Sequence, residues 1–211
     1  MAERQAIPPL VAAMLVTTAV GAAELPRPEP QIEQTFARIV DDVATVVGST
    51  LTPEQLDCAM FDLVDEHLRP QFDFHASSRR ILDRHWPESP EQQARFVEAF
   101  YDHLVARYGD LLIHFNEDTL RVVHLDENPE ITNLWLETEW TLSNGDKVPA
   151  GLRMRYDNAE WRIVDVRPET FSYLEKFHDD FQIDVYDMGL EGLIGWLEEE
   201  AAPRRDCGAP G

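Results

Sequence analysis

Hydrophobic alternation is sharpest between residues 131 and 157. Leu134, Leu136, Trp140 and Leu142 fall on alternate positions, with Thr138 completing the row; after Ser143-Asn144-Gly145-Asp146, the residues Val148, Ala150, Leu152, Met154 and Tyr156 do the same. A period of two predicts two strands with one continuously apolar face. The opposite face carries Glu137, Glu139, Lys147, Arg153 and Arg155, which can pair acid with base across the strands. The Asn-Gly pair predicts a two-residue type I′ turn. A ribbon of this kind needs a cover for its apolar face.

The segments before it repeat every three to four residues instead. Ile32, Phe36, Ile39, Val40, Val43 and Val47 form one stripe, predicting a helix over residues 31–47. Thr52-Pro53-Glu54-Gln55 carries an N-cap, a proline at the first position and a glutamine at the third, and opens a second helix that Pro70 ends. A short third helix passes through Ile81 and Leu82. Ser89-Pro90-Glu91-Gln92 opens the longest, running to about Phe115 with a stripe broad enough to be covered on two sides. Strands are expected at 120–125, 131–142, 147–156 and 160–166, joined by short turns at Asn128-Pro129 and Asp157-Asn158, then helices at 170–183 and 190–201. Helices followed by a meander give an α+β fold with helices on one face of a four-stranded antiparallel sheet.

Composition adds an address and excludes some partners. Residues 1–23 read as a secretory signal peptide: Ile7 to Val20 is apolar but too short to span a bilayer, and small residues at Val20-Gly21-Ala22-Ala23 offer cleavage sites. A buried N-terminal helix is the plainer alternative. A single domain is expected over 24–201, followed by a disordered tail at 202–211. The net charge of -22 lacks the basic footprint that a nucleic acid requires. Only Lys147 and Lys176 are lysines, and acid excess with scarce lysine fits a high-salt habitat as well as attraction of basic partners. Cys58 sits on a helical pattern, where a buried inert thiol is the default, and Cys207 lies in the tail; a bond between them is possible in an oxidising compartment.

Chemistry-bearing motifs are sparse. The seven histidines form no H-E-x-x-H or zinc-spaced cluster, and there is no phosphate loop or G-x-S-x-G elbow. Ser172 has no base in view, while Asp179-Asp180 and Glu198-Glu199-Glu200 read as solvated helix faces. We therefore expect no catalytic residue, no metal and no cofactor. A bent sheet with helices across one face makes a cone that either packs solid or encloses an apolar cavity.

Three spaced motifs carry a family resemblance. Trp161-Arg162-Ile163-Val164-Asp165-Val166 followed by Glu169-Thr170-Phe171-Ser172 resembles the W-x-(V/A)-Y-D-(V/M) strand and E-G-(V/I)-S of the MlaC-type periplasmic phospholipid-binding family, also called the toluene-tolerance family. Gly189-Leu190-Glu191-Gly192-Leu193 is similar to its G-(I/L)-(D/E)-G-L, and Ile81-Leu82-Asp83-Arg84-His85-Trp86 to its x-L-G-(R/K)-(H/Y)-W. The likeness runs from Phe36 to Leu197. Asp83 and Thr170 stand where the family has glycine, and Pro168 precedes Glu169, which puts head-group specificity in question.

The resemblance implies a strongly curved, NTF2-like cone enclosing an apolar cavity, and a soluble periplasmic carrier rather than an enzyme. Such a carrier would hold phospholipid acyl chains and shuttle the lipid between an outer-membrane lipoprotein complex and an inner-membrane ABC transporter complex with a substrate-binding ring, maintaining outer-membrane lipid asymmetry. Lipid-binding positions are then expected at Phe100, Leu104, Tyr108, Leu134, Leu136, Trp140, Leu152, Met154, Tyr156, Ile163, Phe171 and Leu174. Three alternatives stay open: a carrier of hopanoids or other apolar lipids, a cone-fold isomerase or dehydratase using a cavity acid or histidine, and a purely structural periplasmic interaction module with a filled core.

Overall fold

The computed structural model describes residues 25–109, 115–125, 131–142, 144–202 and 207. The expected signal peptide at 1–23, the turn at Asn128-Pro129 and most of the tail lie outside the described residues. Helices α1 (Glu29–Val47), α2 (Pro53–Leu63), α3 (Phe74–Leu82) and α4 (Pro90–Tyr108) precede strands β1 (Phe115–Leu125), β2 (Asn133–Leu142), β3 (Lys147–Asp157) and β4 (Glu160–Pro168), and α5 (Tyr173–Glu200) follows. The sheet is an antiparallel meander in the order β1-β2-β3-β4, so fold class and strand order agree with the hydrophobic pattern.

Helix starts follow the capping chemistry. Thr52 and Gln55 form the full capping box at the head of α2, and Ser89 accepts the amide of Gln92 at the head of α4. The second helix does not run on unbroken to Pro70. After Leu63 it widens into a π-helical turn, Val64–Leu68, and tightens into a 3₁₀ turn, Arg69–Gln71. The fourth ends at Gly109 rather than near Phe115, which already belongs to β1; Leu111 and Leu112 lie outside the described residues. The two closing helices are one element bent at Gly189, whose φ of 75° and ψ of 167° suit glycine alone. That backbone explains the first glycine of the closing motif. Asp83, a departure from the family pattern, has φ 46°, a conformation that a glycine would adopt without strain.

The β2–β3 hairpin keeps the predicted faces but not the predicted turn. Leu134 pairs with Met154, Leu136 with Leu152, Thr138 with Ala150 and Trp140 with Val148. A two-residue loop would set Ser143 opposite Asp146 and shift the register by one, placing Leu134 across from Arg155. Matching apolar rows set Thr141 opposite Lys147, which rules out the two-residue loop, and Gly145 at φ 85° is a left-handed residue of the connection. Asn144 accepts the Asp146 amide at 2.9 Å. On the outer face Lys147 pairs with Glu139 at 2.6 Å, and Arg167 lies over the Trp135 ring while holding Glu137.

The ladder between β3 and β4 carries a register irregularity. Arg153 pairs with Asp165 and Met154 with Ile163, so Val164 is an extra residue on β4. Its carbonyl accepts the Ser77 hydroxyl of α3 at 2.8 Å, and the neighbouring Ile163 carbonyl accepts the amide of Asp73 at 2.9 Å. The bulge thus ties the head of α3 to β4. One core cluster joins α1, α2 and the π turn to the sheet through Ile32, Phe36, Ile39, Val64, Leu136 and Met154. A second joins α3, α4 and α5 through Ile81, Phe96, Phe100, Phe177, Phe181 and Leu197. Helix α4 serves both, with Tyr101 and Val105 in the first and Phe96 and Phe100 in the second, as its broad stripe requires. Cys58 is not a free thiol. It is bonded to Cys207 across 149 residues, with the two Cα atoms 5.3 Å apart.

Candidate functional site

The gap between the two clusters is a cavity of about 490 Å³, within the range of small-molecule sites. Phe36 of α1, Val64 and Leu68 of the π turn, and Phe72 and Phe74 just after it form one side. Phe100, Leu104, Val105 and Tyr108 of α4 form another, and Trp140, Val148, Ala150, Leu152, Ile163 and Val166 supply the sheet floor. Tyr173, Leu174 and Phe177 close it from α5.

The polar groups on this wall are occupied by the protein itself. Thr138, on the same inward row but off the wall, donates to the Ala150 carbonyl at 2.6 Å and accepts from the indole of the wall residue Trp140. Ser77 is held by Val164, Arg69 pairs with Glu98 at 2.6 Å, and the Tyr101 hydroxyl bonds Asp65. Asp165 is buried, and its two oxygens accept the Ser172 hydroxyl at 2.6 Å and the Leu174 amide at 3.0 Å. Ser172 in turn accepts the Glu175 amide as the N-cap of α5. The aspartate and serine of the recurring motif are therefore positioning groups that fix the head of α5 over the cavity. Trp161 of the same motif donates to the Pro26 carbonyl, anchoring the chain ahead of α1.

Asp165→Ala removes two charge-assisted hydrogen bonds and leaves two donors near a helix start unpaired. We expect a loss of about 3 kcal/mol, read as a shift of the urea unfolding midpoint. Ser172→Ala removes the cap and one of those bonds, and is expected to cost about 1–2 kcal/mol.

Of the twelve positions singled out from the sequence, Phe100, Leu104, Tyr108, Trp140, Leu152, Ile163 and Leu174 lie on the cavity wall. Leu134, Leu136 and Met154 do not; they point the same way from the sheet but are sealed in the first cluster. Tyr156 packs on Trp161, with ring centroids 5.2 Å apart, and Phe171 is half-exposed against Tyr173 outside the wall. Aromatics missed from the sequence also line it: Phe36, Phe74, Tyr101 and Phe177 from helices, and Phe72 from the extended residue that bridges to Ile163. The stripes holding Phe36 and Tyr101 were visible, but a stripe does not tell which of its members face a gap. Helix α4 ends at the cavity rim, where Tyr108 and Tyr173 lie with ring centroids 5.7 Å apart. Burial first, then Tyr108, push the Tyr173 hydroxyl above its ordinary pKa.

Comparison with known proteins adds a family. The profile of the family described as MlaC protein matches residues 37–199. A solved structure, described as the phospholipid-binding protein from Ralstonia solanacearum in complex with a phospholipid, superposes with a TM-score of 0.68 at 21% identity, covering 83% of this chain and 95% of that one. At that identity the likeness is one of fold. No curated protein sequence matches significantly.

Proposed function

The chain belongs to the MlaC family, and from that premise we propose that it is a periplasmic lipid carrier that holds phospholipid acyl chains in the cavity between α4, α5 and the sheet. The observation that carries this reading is the cavity's chemistry. Its wall is almost wholly hydrocarbon and aromatic, and its polar side chains Ser77, Arg69 and Asp165 already have protein partners. The ligand described for the Ralstonia structure of like fold agrees with it.

The physical need for such a cavity is large. At ~0.8 kcal/mol per methylene, two ordinary acyl chains cost roughly 25 kcal/mol to expose to water. An apolar wall replaces bilayer by protein, so transfer can be near balance without covalent chemistry. Direction must then come from partners, which we take to be an outer-membrane lipoprotein complex and an inner-membrane ABC transporter complex with its substrate-binding ring. No helix among the described residues is long and apolar enough to cross a membrane. The first 23 residues, read as a signal peptide, supply the address.

The enzyme alternative needs a cavity acid or histidine. Among the described lining residues the acid is Asp165, whose oxygens both hold the head of α5, and none is histidine. Transfer of a fluorescent phospholipid between two vesicle populations tests the carrier reading. Addition of the mature protein should raise the rate at least tenfold; a rate equal to that of an unrelated acidic protein would refute it.

A further inference from the structure

The closing helix leaves its apolar side chains in two kinds of place. Phe177, Phe181, Leu193 and Leu197 are buried in the second cluster. Ile183, Tyr186 and Met188 stand in solvent on the approach to the Gly189 bend, 62%, 87% and 46% exposed, and none of them lines the apolar cavity. Large apolar side chains gathered so closely form a patch, which single exposed residues do not. The closing motif shapes it. Gly189 turns the helix with a backbone that only glycine adopts freely. Gly192 makes room for Met188, because a Cβ there would stand 2.9 Å from the Met188 Cβ and Cγ.

Carboxylates rim the patch. Residues three and four apart on a helix lie side by side, which sets Asp179, Asp180 and Asp187 beside Ile183, and Asp184 beside Met188. Asp180 holds Lys176, and Asp179 lies 3.1 Å from His178. Asp184 and Asp187 form no ion pair among the described residues. Burial, then Asp180 and Asp187, push the Asp184 carboxyl above its ordinary pKa. A cation brought from outside would relieve that crowding.

Charge decides what covers the patch. A second copy of this chain would set the same acids against one another about a two-fold axis. An anionic bilayer would repel them too. An apolar centre of isoleucine, tyrosine and methionine inside an acidic rim fits a protein surface that offers an apolar pocket set among lysines and arginines. Resting on the carrier reading, we propose that the elbow of α5 is the surface on which the carrier docks with a basic partner protein to hand over its lipid. Ile183 and Tyr186 are the anchors, and Asp184 and Asp187 are the charged rim. The elbow lies off the cavity wall, so docking and lipid holding are separable by substitution.

The test measures binding of the full mature chain to two purified probes by biolayer interferometry at stepped salt. The probes are the substrate-binding ring of its own inner-membrane ABC complex and its own outer-membrane lipoprotein complex. The wild type should bind at least one of them, more weakly as salt rises. Tyr186→Ala should lower that affinity about tenfold or more. Asp184→Asn with Asp187→Asn should slow association and flatten the salt dependence. Every variant should still carry fluorescent phospholipid between vesicles, which needs no partner, at the wild-type rate. Binding to neither probe, an affinity indifferent to Tyr186→Ala, or a salt dependence indifferent to the double substitution overturns the docking surface. So does a dimer of the wild type that Tyr186→Ala dissolves, or adsorption to phosphatidylglycerol vesicles that it abolishes. Failure of the wild type in the vesicle assay overturns the carrier reading instead, so the two failures are read separately.

Discussion

Leu104→Glu is expected to strip lipid from the protein while leaving it folded. Leu104 lies on the cavity wall and is only half-buried, beside Phe100 and Tyr108 of the same helix. A carboxylate there has two choices when acyl chains enter. It can stay ionised against hydrocarbon, or take up a proton and still present an unpaired polar group. Either costs several kcal/mol relative to leucine, and ~3 kcal/mol is already about a hundredfold in affinity. In the empty cavity the same group reaches water, so the folded state loses little. Leu136→Glu makes the contrast: Leu136 has no exposed surface and lies in the first cluster off the wall, so that variant should fail to fold. Extracted lipid per chain together with circular dichroism distinguishes the two. A folded Leu104→Glu protein with wild-type lipid content would mean that this wall does not hold the chains.

Loss of the disulfide is the second large effect. Cys58 and Cys207 are 149 residues apart in sequence, so their bond closes nearly the whole folded domain into a loop. The chain-entropy account gives about 5 kcal/mol for a loop of that length, and removal of native disulfides typically costs about 2–5 kcal/mol. Cys58→Ser with Cys207→Ser should therefore lower the urea unfolding free energy by that range under oxidising conditions. The same shift should appear in the wild type on adding reductant, and not in the double variant. Helix α2 also leads directly into the π turn whose Val64 and Leu68 form cavity wall, so the bond steadies one side of the site. A change below about 1 kcal/mol would show that the tail contributes no constraint.

The sheet was legible in the sequence because alternation is a local property. The row Leu134, Leu136, Thr138 and its partners Leu152 and Ala150 all face inward as the pattern requires. That same alternation was a stronger guide to the hairpin than the Asn-Gly pair. Apolar rows can meet only in a register that rules out a two-residue turn. Helix starts at Thr52 and Ser89 were legible for the same local reason.

Cavity membership was not legible, because it depends on where two clusters fail to meet. Leu136 and Leu152 are cross-strand neighbours of equal hydrophobicity, yet only Leu152 lies on the wall. Phe36, Tyr101 and Phe177 come from three separate helices, and nothing local relates them. The pairing of Cys58 with Cys207 is likewise a fact of the folded chain alone. Nor did Asp165 announce itself as the anchor of α5, since its partners Ser172 and Leu174 are set by the turn between them.

Whether acyl chains fill the cavity is read by native mass spectrometry of the mature protein, purified from its producing cells without detergent. We expect a bound mass equal to one phospholipid per chain, released on organic extraction and absent from Leu104→Glu. A protein that is monodisperse, folded and empty, and stays empty after incubation with phospholipid vesicles, would contradict it.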